Sequence, residues 1–462
     1  MTDQIPGPRG HWLLGDLPEL RAGMLPFFER CRREYGPFVA FRLGMRRLIL
    51  VSDPACIEEV LVTKNKSFKK HYVTRLLKPI LGNGLLLNEG QSWLKQRRLI
   101  QPAFSRRFTQ DFARIVNLHS SRLVEQWHQS KRRDLYQDMT RLTVDIAAHA
   151  FLGISDTAAS KEIGDCLEVI HADFEWRFQR AWNPPLWIPS SRNLKLRRAI
   201  NRLTVILDRM IEKRRQDTDD RHDALSLLLR AEDEQGERMP LQLLRDEVMT
   251  LLLAGHDTTA NGLTWTWFLL AQHPKTMVRL QETLYRWNAN DPPAEAMSIV
   301  NAVVKESMRL FPPVYLFGRE AVHDIDIGGY RISKGDSVVM SQWVVHRDEK
   351  YYPDSDRFCP DRWTPEFESR LPKYAYLPFG GGPRACIGKH VAMLEAELIV
   401  ANLASEFSIH LESPDDVQPW PTVTLRPKSA VWANVESNTA RTARDHRLVV
   451  PSHSEKPLRC DR

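Results

Sequence analysis

Cys386 lies in a short segment whose composition suits a metal ligand. The segment F-G-G-G-P-R-A-C-I-G spans residues 379–388 and sets three glycines, an arginine and an aromatic residue at fixed offsets from the sulfur. Glycines permit positive φ and leave room for a planar group against the chain. Arg384 is two residues away and a helix is predicted just after Gly388; both features favour a thiolate. An ordinary buried cysteine would need none of this framing.

The remaining cysteines give no sign of a zinc site, because they form neither a C-x-x-C pair nor a matching histidine spacing. They are Cys31, Cys56, Cys166, Cys359 and Cys460. A single axial thiolate suits haem iron instead.

A second polar motif lies in the middle of an apolar run, L-L-L-A-G-H-D-T-T-A-N-G-L-T-W-T-W-F-L-L, residues 251–270. An acid and threonines inside a buried helix are costly unless they are bonded or functional. Ala254 and Gly255 leave space where dioxygen could sit, and Asp257 with Thr258 could deliver the protons that oxygen activation needs. Alternatively, the helix is kinked at Gly255 and the threonine hydroxyls bond the preceding carbonyls. His256 is assigned no catalytic role.

Trp93 and Arg97 are four residues apart in Q-S-W-L-K-Q-R-R-L-I-Q-P-A-F, residues 91–104, and share one face of a predicted helix. An indole N–H and a guanidinium can each donate to a carboxylate. The alternative is a basic face in contact with water.

Together these segments resemble the cytochrome P-450 superfamily, the haem-thiolate monooxygenases. The pattern F-x-x-G-x-R-x-C-x-G is matched by Phe379, Gly382, Arg384, Cys386 and Gly388, and A-G-x-D-T-T and W-x-x-x-R precede it. The resemblance implies a mainly α fold with a minor β region (α+β). It also implies haem b (iron protoporphyrin IX) between the long central helix and the cysteine-loop helix.

The resemblance gives each motif a role. Cys386 is expected to be the iron ligand with Phe379 packed beside it, and Asp257 and Thr258 are expected to activate oxygen. The side chains expected to meet the haem propionates are Trp93, Arg97, Arg319 and Arg384.

Two further segments resemble structural parts of the family. Glu306 and Arg309, three apart on one predicted helix, are expected to join Arg362 in a buried brace. The apolar stretch 314–317 is expected to face the substrate above the haem.

Length and charge favour one large catalytic domain. The 462 residues show no repeat or low-complexity linker, so residues 1–436 are predicted to form one domain and 437–462 a polar, disordered tail. A net charge of +7 is moderate for this length, so nucleic acid is not expected as a partner. With no apolar run of about 20 residues and no signal peptide, a cytoplasmic location is expected.

The predicted reaction inserts one oxygen atom from O2 into a lipophilic substrate such as a fatty acid or terpene. Electrons are expected from a ferredoxin or flavodoxin with its reductase, docking near Arg384, Lys389, His390 and the arginines at 97–107. A haem-thiolate peroxygenase or isomerase, and a haem sensor or carrier, remain open. The apolar loop 181–189 either contacts a membrane surface or folds onto its own helices. The oligomeric state is left open.

Overall fold

The computed structural model describes residues 5–178, 180, 183–217, 223–288 and 293–438. Within them the chain forms α-helices that bury apolar faces against one another, with the following bounds: α1 Leu17–Ala22, α2 Met24–Tyr35, α3 Pro54–Glu58, α4 Lys78–Leu81, α5 Gly90–Ile100, α6 Arg106–Gln129, α7 Leu135–Leu152, α8 Thr157–Phe178, α9 Ser191–Gln216, α10 Ala224–Arg230, α11 Leu241–Gln272, α12 Pro274–Thr283, α13 Ala294–Leu310, α14 Gln342–Val345, α15 Pro365–Arg370 and α16 Lys389–Ala404.

The strands are short: β1 Phe38–Leu43, β2 Arg46–Val51, β3 Phe68–Lys70, β4 Arg132–Asp134, β5 Phe317–Ala321, β6 Ile325–Ile327, β7 Tyr330–Ile332, β8 Ser337–Met340, β9 Phe407–Leu411, β10 Pro419–Pro421, β11 Leu425–Pro427 and β12 Trp432–Ser437. The main sheet has the order β1-β2-β8-β5-β3, with β2 and β8 parallel and the other pairs antiparallel. The hairpin expected from the alternating residues 38–51 is confirmed. The predicted mainly α fold with a minor β region is likewise confirmed.

The largest hydrophobic core lies among the helices, with α11 packed lengthwise against α7. Trp127, Trp265 and Trp267 are fully buried there. The apolar run 251–270 lies within α11, as the sequence predicted for a long buried helix. None of the helices in the described ranges is long and apolar enough to cross a membrane.

Glu306 anchors a buried brace between α13 and the segment before the cysteine loop. Its carboxylate accepts hydrogen bonds from Arg309 Nε and Nη2, Arg362 Nε and Trp363 Nε1, each at 2.9 Å, and from the Cys359 N–H at 3.0 Å. The predicted Glu306–Arg309–Arg362 contact is present, and the two guanidinium groups compensate the buried carboxylate.

The structure corrects one expectation for the segment 314–317 and one for the predicted tail 437–462. Tyr315, expected to face the substrate, is fully buried in the N-terminal core and donates to Thr422 O at 2.6 Å. Ser437, placed in the predicted tail, ends β12 and pairs with Phe407. The predicted tail from 439 onward lies outside the described residues, as do Ala181 and Trp182 of the apolar loop.

Candidate active site

The cysteine loop is closed by its own backbone. The Cys386 N–H donates to Phe379 O at 2.9 Å, and α16 begins three residues after the cysteine. Phe379 is half-buried and packs on the helical core. Gly382 has φ +66°, and a Cβ there would overlap the carbonyl oxygen of Leu61. Gly381 and Gly382 therefore let the loop pack closely on Tyr374 and Leu61, whereas Gly380, with φ +67°, has open space where a Cβ would lie.

The Cys386 side chain is accessible, yet protein surrounds it on most sides. That burial raises the pKa of the thiol above its ordinary value, while the Gly388 N–H and Arg97 act to lower it. The prediction that the loop by itself lowers this pKa is wrong, because desolvation outweighs the helix terminus and the cation. The cation that acts on the sulfur is Arg97 rather than Arg384.

Trp93, Arg97 and Arg384 are brought together by α5 and the cysteine loop. The guanidinium carbons of Arg384 and Arg97 lie 4.3 Å and 5.9 Å from the centre of a Trp93 ring. Arg97 Nη1 also donates to Ala385 O at 2.9 Å. The alternative of a basic face in water is excluded for Arg97, which is half-buried.

Arg319 joins this group from β5, together with a cation that sequence reasoning missed. Lys70 of β3 lies directly opposite Arg319 in the antiparallel ladder. Burial, together with the charge of Arg384, lowers the pKa of Lys70 to about 7 and that of Arg319 to about 10. Glu89 raises both pKa values and forms an ion pair with Arg384.

These side chains form a cationic cluster, defined as Lys70, Arg97, Arg319 and Arg384. Glu89 is the carboxylate that acts on three of its members. Arg384 Nη1 is buried and has no hydrogen-bond partner in the described part of the chain. Four cations beside one carboxylate, with an orphaned guanidinium N–H, fit a ligand with two carboxylates. The residues present therefore fit haem b, with Cys386 available to the iron and the cluster available to the propionates.

The central helix α11 has one accessible strip. Ala254 is exposed and Thr258, one turn later, is half-buried, whereas His256, Asp257 and Thr259 are buried. Thr258 Oγ1 donates to Ala254 O at 2.9 Å, which is the hydrogen bond that the alternative expected, and the role of Thr258 in oxygen activation stays a prediction. A Cβ on Gly255 would lie 2.8 Å from a ring carbon of Phe151. The accessible strip on α11 therefore depends on the small side chain of Ala254, while the absence of a side chain at Gly255 lets Phe151 of α7 pack closely against α11.

Asp257 does not share the accessible strip. Its Oδ2 accepts from Thr424 Oγ1 at 2.7 Å, and its Oδ1 lies 3.9 Å from His171 Nδ1. Burial raises the pKa of Asp257, but His171, Arg426, His256 and the Thr424 bond together hold it below the ordinary value. The structure thus separates the surroundings of Asp257 and Thr258, which the sequence placed side by side.

Glu395 is a second buried acid that the sequence did not single out. It lies in α16, and burial raises its pKa to about 8 while a hydrogen bond with Thr259 opposes the shift. The contact joins the cysteine-loop helix to α11. A glutamate in an apolar helix is the one signal that could have drawn attention to it.

Comparison with known proteins supports the conclusion that this site fits haem b. A family model described as Cytochrome P-450 matches residues 5–433. Cyclooctatin synthase from Streptomyces melanosporofaciens is 34% identical over 402 residues, covering 85% of this chain and 87% of that protein. A putative cytochrome P-450 135B1 of Mycobacterium tuberculosis is 31% identical over 418 residues, covering 90% and 87%.

A human relative and a solved structure extend the comparison. Cytochrome P-450 4V2 of Homo sapiens is 27% identical over 414 residues, covering 83% of this chain and 79% of that protein. The structure described as retinoic acid bound cyanobacterial CYP120A1 superposes with a TM-score of 0.83 at 27% identity, covering 94% of this chain and 98% of that one. With the site geometry, these matches show that the chain belongs to the cytochrome P-450 family and is a haem b-dependent monooxygenase.

Proposed function

We propose that Cys386 is the proximal iron ligand and that the cationic cluster and Trp93 hold the haem propionates. The observation that carries this proposal is an accessible Cys386 thiol on which Arg97 acts, in the same loop as Arg384, whose buried Nη1 has no hydrogen-bond partner in the described chain. A thiolate-ligated haem supplies dioxygen activation when it is bound. Arg97 contributes twice, because it acts electrostatically on the sulfur and stacks near Trp93. Phe379 is proposed to pack beside the Cys386 sulfur and to shield it from water.

On the other side, Thr258 is the group we assign to proton delivery. Its hydroxyl donates to Ala254 O, which leaves the oxygen lone pairs free to accept a further hydrogen bond on the accessible strip. Asp257 is ionised at neutral pH and can accept protons from the protein interior. Because Asp257 is bonded to Thr424, transfer to Thr258 requires the Asp257 side chain to leave that bond.

The substrate is proposed to be lipophilic, such as a fatty acid or terpene. Leu316 and Phe317 pack against the two smaller hydrophobic clusters that lie beside the main sheet. Val314 is half-buried and belongs to neither cluster, so it is the apolar side chain of this segment with most freedom to contact a ligand. Retinoic acid, a molecule that is mostly hydrocarbon, is bound by the solved relative. Substrate-induced spin-state shifts across a panel of fatty acids and terpenes test the assignment, and a panel of polar molecules of matched size is the control.

Electrons are proposed to arrive from a ferredoxin or flavodoxin at the surface where α6 and α16 begin. Arg106 and Arg107 at the start of α6, and Lys389 and His390 at the start of α16, are exposed. The two helices pack against each other. Arg384 is removed from the predicted docking face, because it is half-buried and paired with Glu89.

The loop that follows α8 is proposed to make peripheral membrane contact through Trp187, which is 77% exposed. The backbone behind it is anchored: Arg177 Nη1 donates to Pro184 O at 3.1 Å and Asn193 Nδ2 to Ile188 O at 2.9 Å. The described part of the loop, residues 183–189, is therefore held against the neighbouring helices and still presents one aromatic side chain to solvent, which suits a membrane interface. Vesicle flotation of wild type against Trp187→Ala tests it.

The decisive experiment is the spectrum of the reduced protein with carbon monoxide. Wild type should show the strongly red-shifted Soret band of thiolate ligation, and Cys386→Ser should lose it. Cys56→Ser is the matched control, since Cys56 is a free, half-buried cysteine outside the site. A wild-type protein without the band would refute the ligand assignment.

Turnover with peroxide alone would favour a peroxygenase, and haem binding without substrate-linked oxygen consumption would favour a carrier.

A further inference from the structure

A buried group of two histidines and an acid lies between α8 and α11. One nitrogen each of His171 and His256 and one carboxylate oxygen of Asp257 lie within 4.8 Å of one another. The imidazole ring centres are 5.2 Å apart. His256 and Asp257 are buried, and the His171 side chain is 12% exposed. Polar groups at this depth are costly unless their lone pairs and protons are satisfied.

The hydrogen bonds around the group direct free lone pairs toward its centre. His256 Nδ1 lies 2.9 Å from Leu252 O and must donate to it, so Nε2 carries the lone pair. Thr424 occupies Asp257 Oδ2, which leaves Oδ1 toward His171. His171 Nε2 is buried and has no hydrogen-bond partner in the described chain. Outer hydrogen bonds of this kind orient the ligands of protein metal sites.

The protonation states also suit a metal. Burial lowers the pKa of His171 to about 4 and lowers that of His256, so both rings are neutral at pH 7. Asp257 has a lowered pKa and is ionised. Neutral imidazoles and an ionised carboxylate are the forms that bind metal.

Arg426 is the charged group that opposes a cation here, since it acts on all three members of the group. Its charge is offset by Glu175, whose Oε2 lies 3.6 Å from Arg426 Nη1. Trp420 Nε1 donates to the other oxygen of Glu175 at 2.7 Å and holds that carboxylate in place.

We propose that His171, His256 and Asp257 bind one divalent transition-metal ion, with Zn²⁺ the best suited, and that water completes the coordination. Two imidazoles and one carboxylate are a common zinc ligand set, and an open fourth position is usual when three protein groups bind. Zinc bonds of about 2.0–2.2 Å require the three donor atoms, which lie within 4.8 Å of one another, to move closer together when the ion binds.

Zinc binding is expected to affect turnover, and this expectation rests on the proton-delivery function proposed for Asp257. The ion takes Asp257 Oδ1 and ties α8 to α11, so the carboxylate no longer moves to serve Thr258. Zn²⁺ is therefore expected to lower product formed per O2 consumed while leaving haem content unchanged.

Binding is tested on the haem-loaded protein by equilibrium dialysis against Zn²⁺ followed by elemental analysis, with calorimetry for affinity. Wild type should bind one equivalent above the level of the variants. His171→Ala and His256→Gln should each weaken binding at least about tenfold, the loss that even outer-sphere changes cause. Thermal melting without zinc checks that these variants are folded.

His273→Gln is the matched control. His273 lies just after the end of α11, away from the proposed site, and its Nδ1 makes the same kind of bond, to Leu269 O at 2.8 Å. This variant should bind Zn²⁺ like wild type. Equal affinity in wild type, His171→Ala and His256→Gln, or no saturable binding in wild type, overturns the site. Tight Zn²⁺ binding without any change in coupling keeps the site and instead removes Asp257 from proton delivery.

Discussion

Lys70 and Arg319 stand directly opposite each other across the β3–β5 ladder, two like charges in the position where cross-strand side chains interact most strongly. Burial and the nearby Arg384 lower the pKa of both. Such a pair is unfavourable in the protein by itself and becomes favourable when an anion lies between the two groups. We therefore regard this pair as the part of the site most dependent on the haem.

Lys70→Gln should have opposite effects on the two forms of the protein. Without haem, the variant removes a buried repulsion and should melt at a higher temperature than wild type. With haem, it loses a charge-assisted hydrogen bond worth about 1.5–3 kcal/mol, so haem should dissociate faster. Lys69→Gln is the control, because the Lys69 side chain is paired with Glu320 at 2.7 Å and is 42% exposed. Equal haem dissociation in both variants would contradict the role of Lys70.

The haem-free protein should also become more stable as pH rises above about 7. The pKa of Lys70 is lowered from 10.5 to about 7, so between these values the unfolded chain binds more protons than the folded one. Stability rises with pH wherever the unfolded state binds more protons. Denaturant unfolding at several pH values should show this rise in wild type and a smaller one in Lys70→Gln. Parallel curves for the two proteins would show that Lys70 is not responsible.

Thr258→Ala should keep haem and uncouple the reaction. Reductant and oxygen consumption continue, while hydrogen peroxide replaces product, which should fall at least about tenfold because positioned proton transfer contributes that much or more. Thr266→Ala is the control, since Thr266 Oγ1 makes the same bond to the carbonyl four residues earlier, at 2.8 Å, on the same helix. Unchanged coupling in Thr258→Ala would remove this residue from the mechanism.

Glu306→Gln should unfold or severely destabilise the protein. The amide keeps the shape but leaves Arg309 and Arg362 without a counter-charge, and breaking a buried ion pair costs about 3–5 kcal/mol. Glu368→Gln removes a partly exposed pair with Lys305 and should cost less than about 1 kcal/mol. The denaturant midpoints of the two variants compare the loss of a buried ion pair with the loss of a partly exposed one. A Glu306→Gln midpoint near that of wild type would contradict the stabilising role of the buried brace.

Glu395→Gln should flatten the pH dependence of stability between about 4.5 and 8. The folded state keeps the Glu395 proton up to a pKa of about 8, whereas the unfolded chain releases it near 4.5. Stability contributed by this group is complete below the lower value and is lost as pH rises toward the upper one. Unfolding midpoints at pH 5 and pH 8 measure the difference, with Glu368→Gln as the control because that side chain is exposed.

The motifs were readable from the sequence because each depends on short-range spacing. Cys386 with its loop, Trp93 with Arg97, and Glu306 with Arg309 lie within one or two turns of each other, so local geometry already places them together. The apolar run around Asp257 also predicted a buried helix. The mainly α fold, the haem cofactor and the reaction class were expected from the resemblance to the cytochrome P-450 family that these local patterns carry.

Only the tertiary structure decided which distant groups meet. Lys70 and Arg319 are brought together by strand pairing across about 250 residues, and Asp257 meets His171 and Thr424 through helix packing. No local period encodes such contacts, because they depend on how whole elements pack. For the same reason the sequence could name Cys386 as an iron ligand but could not foresee that burial raises the pKa of its thiol: a residue's neighbours in the chain are local, while its desolvation is set by the whole fold.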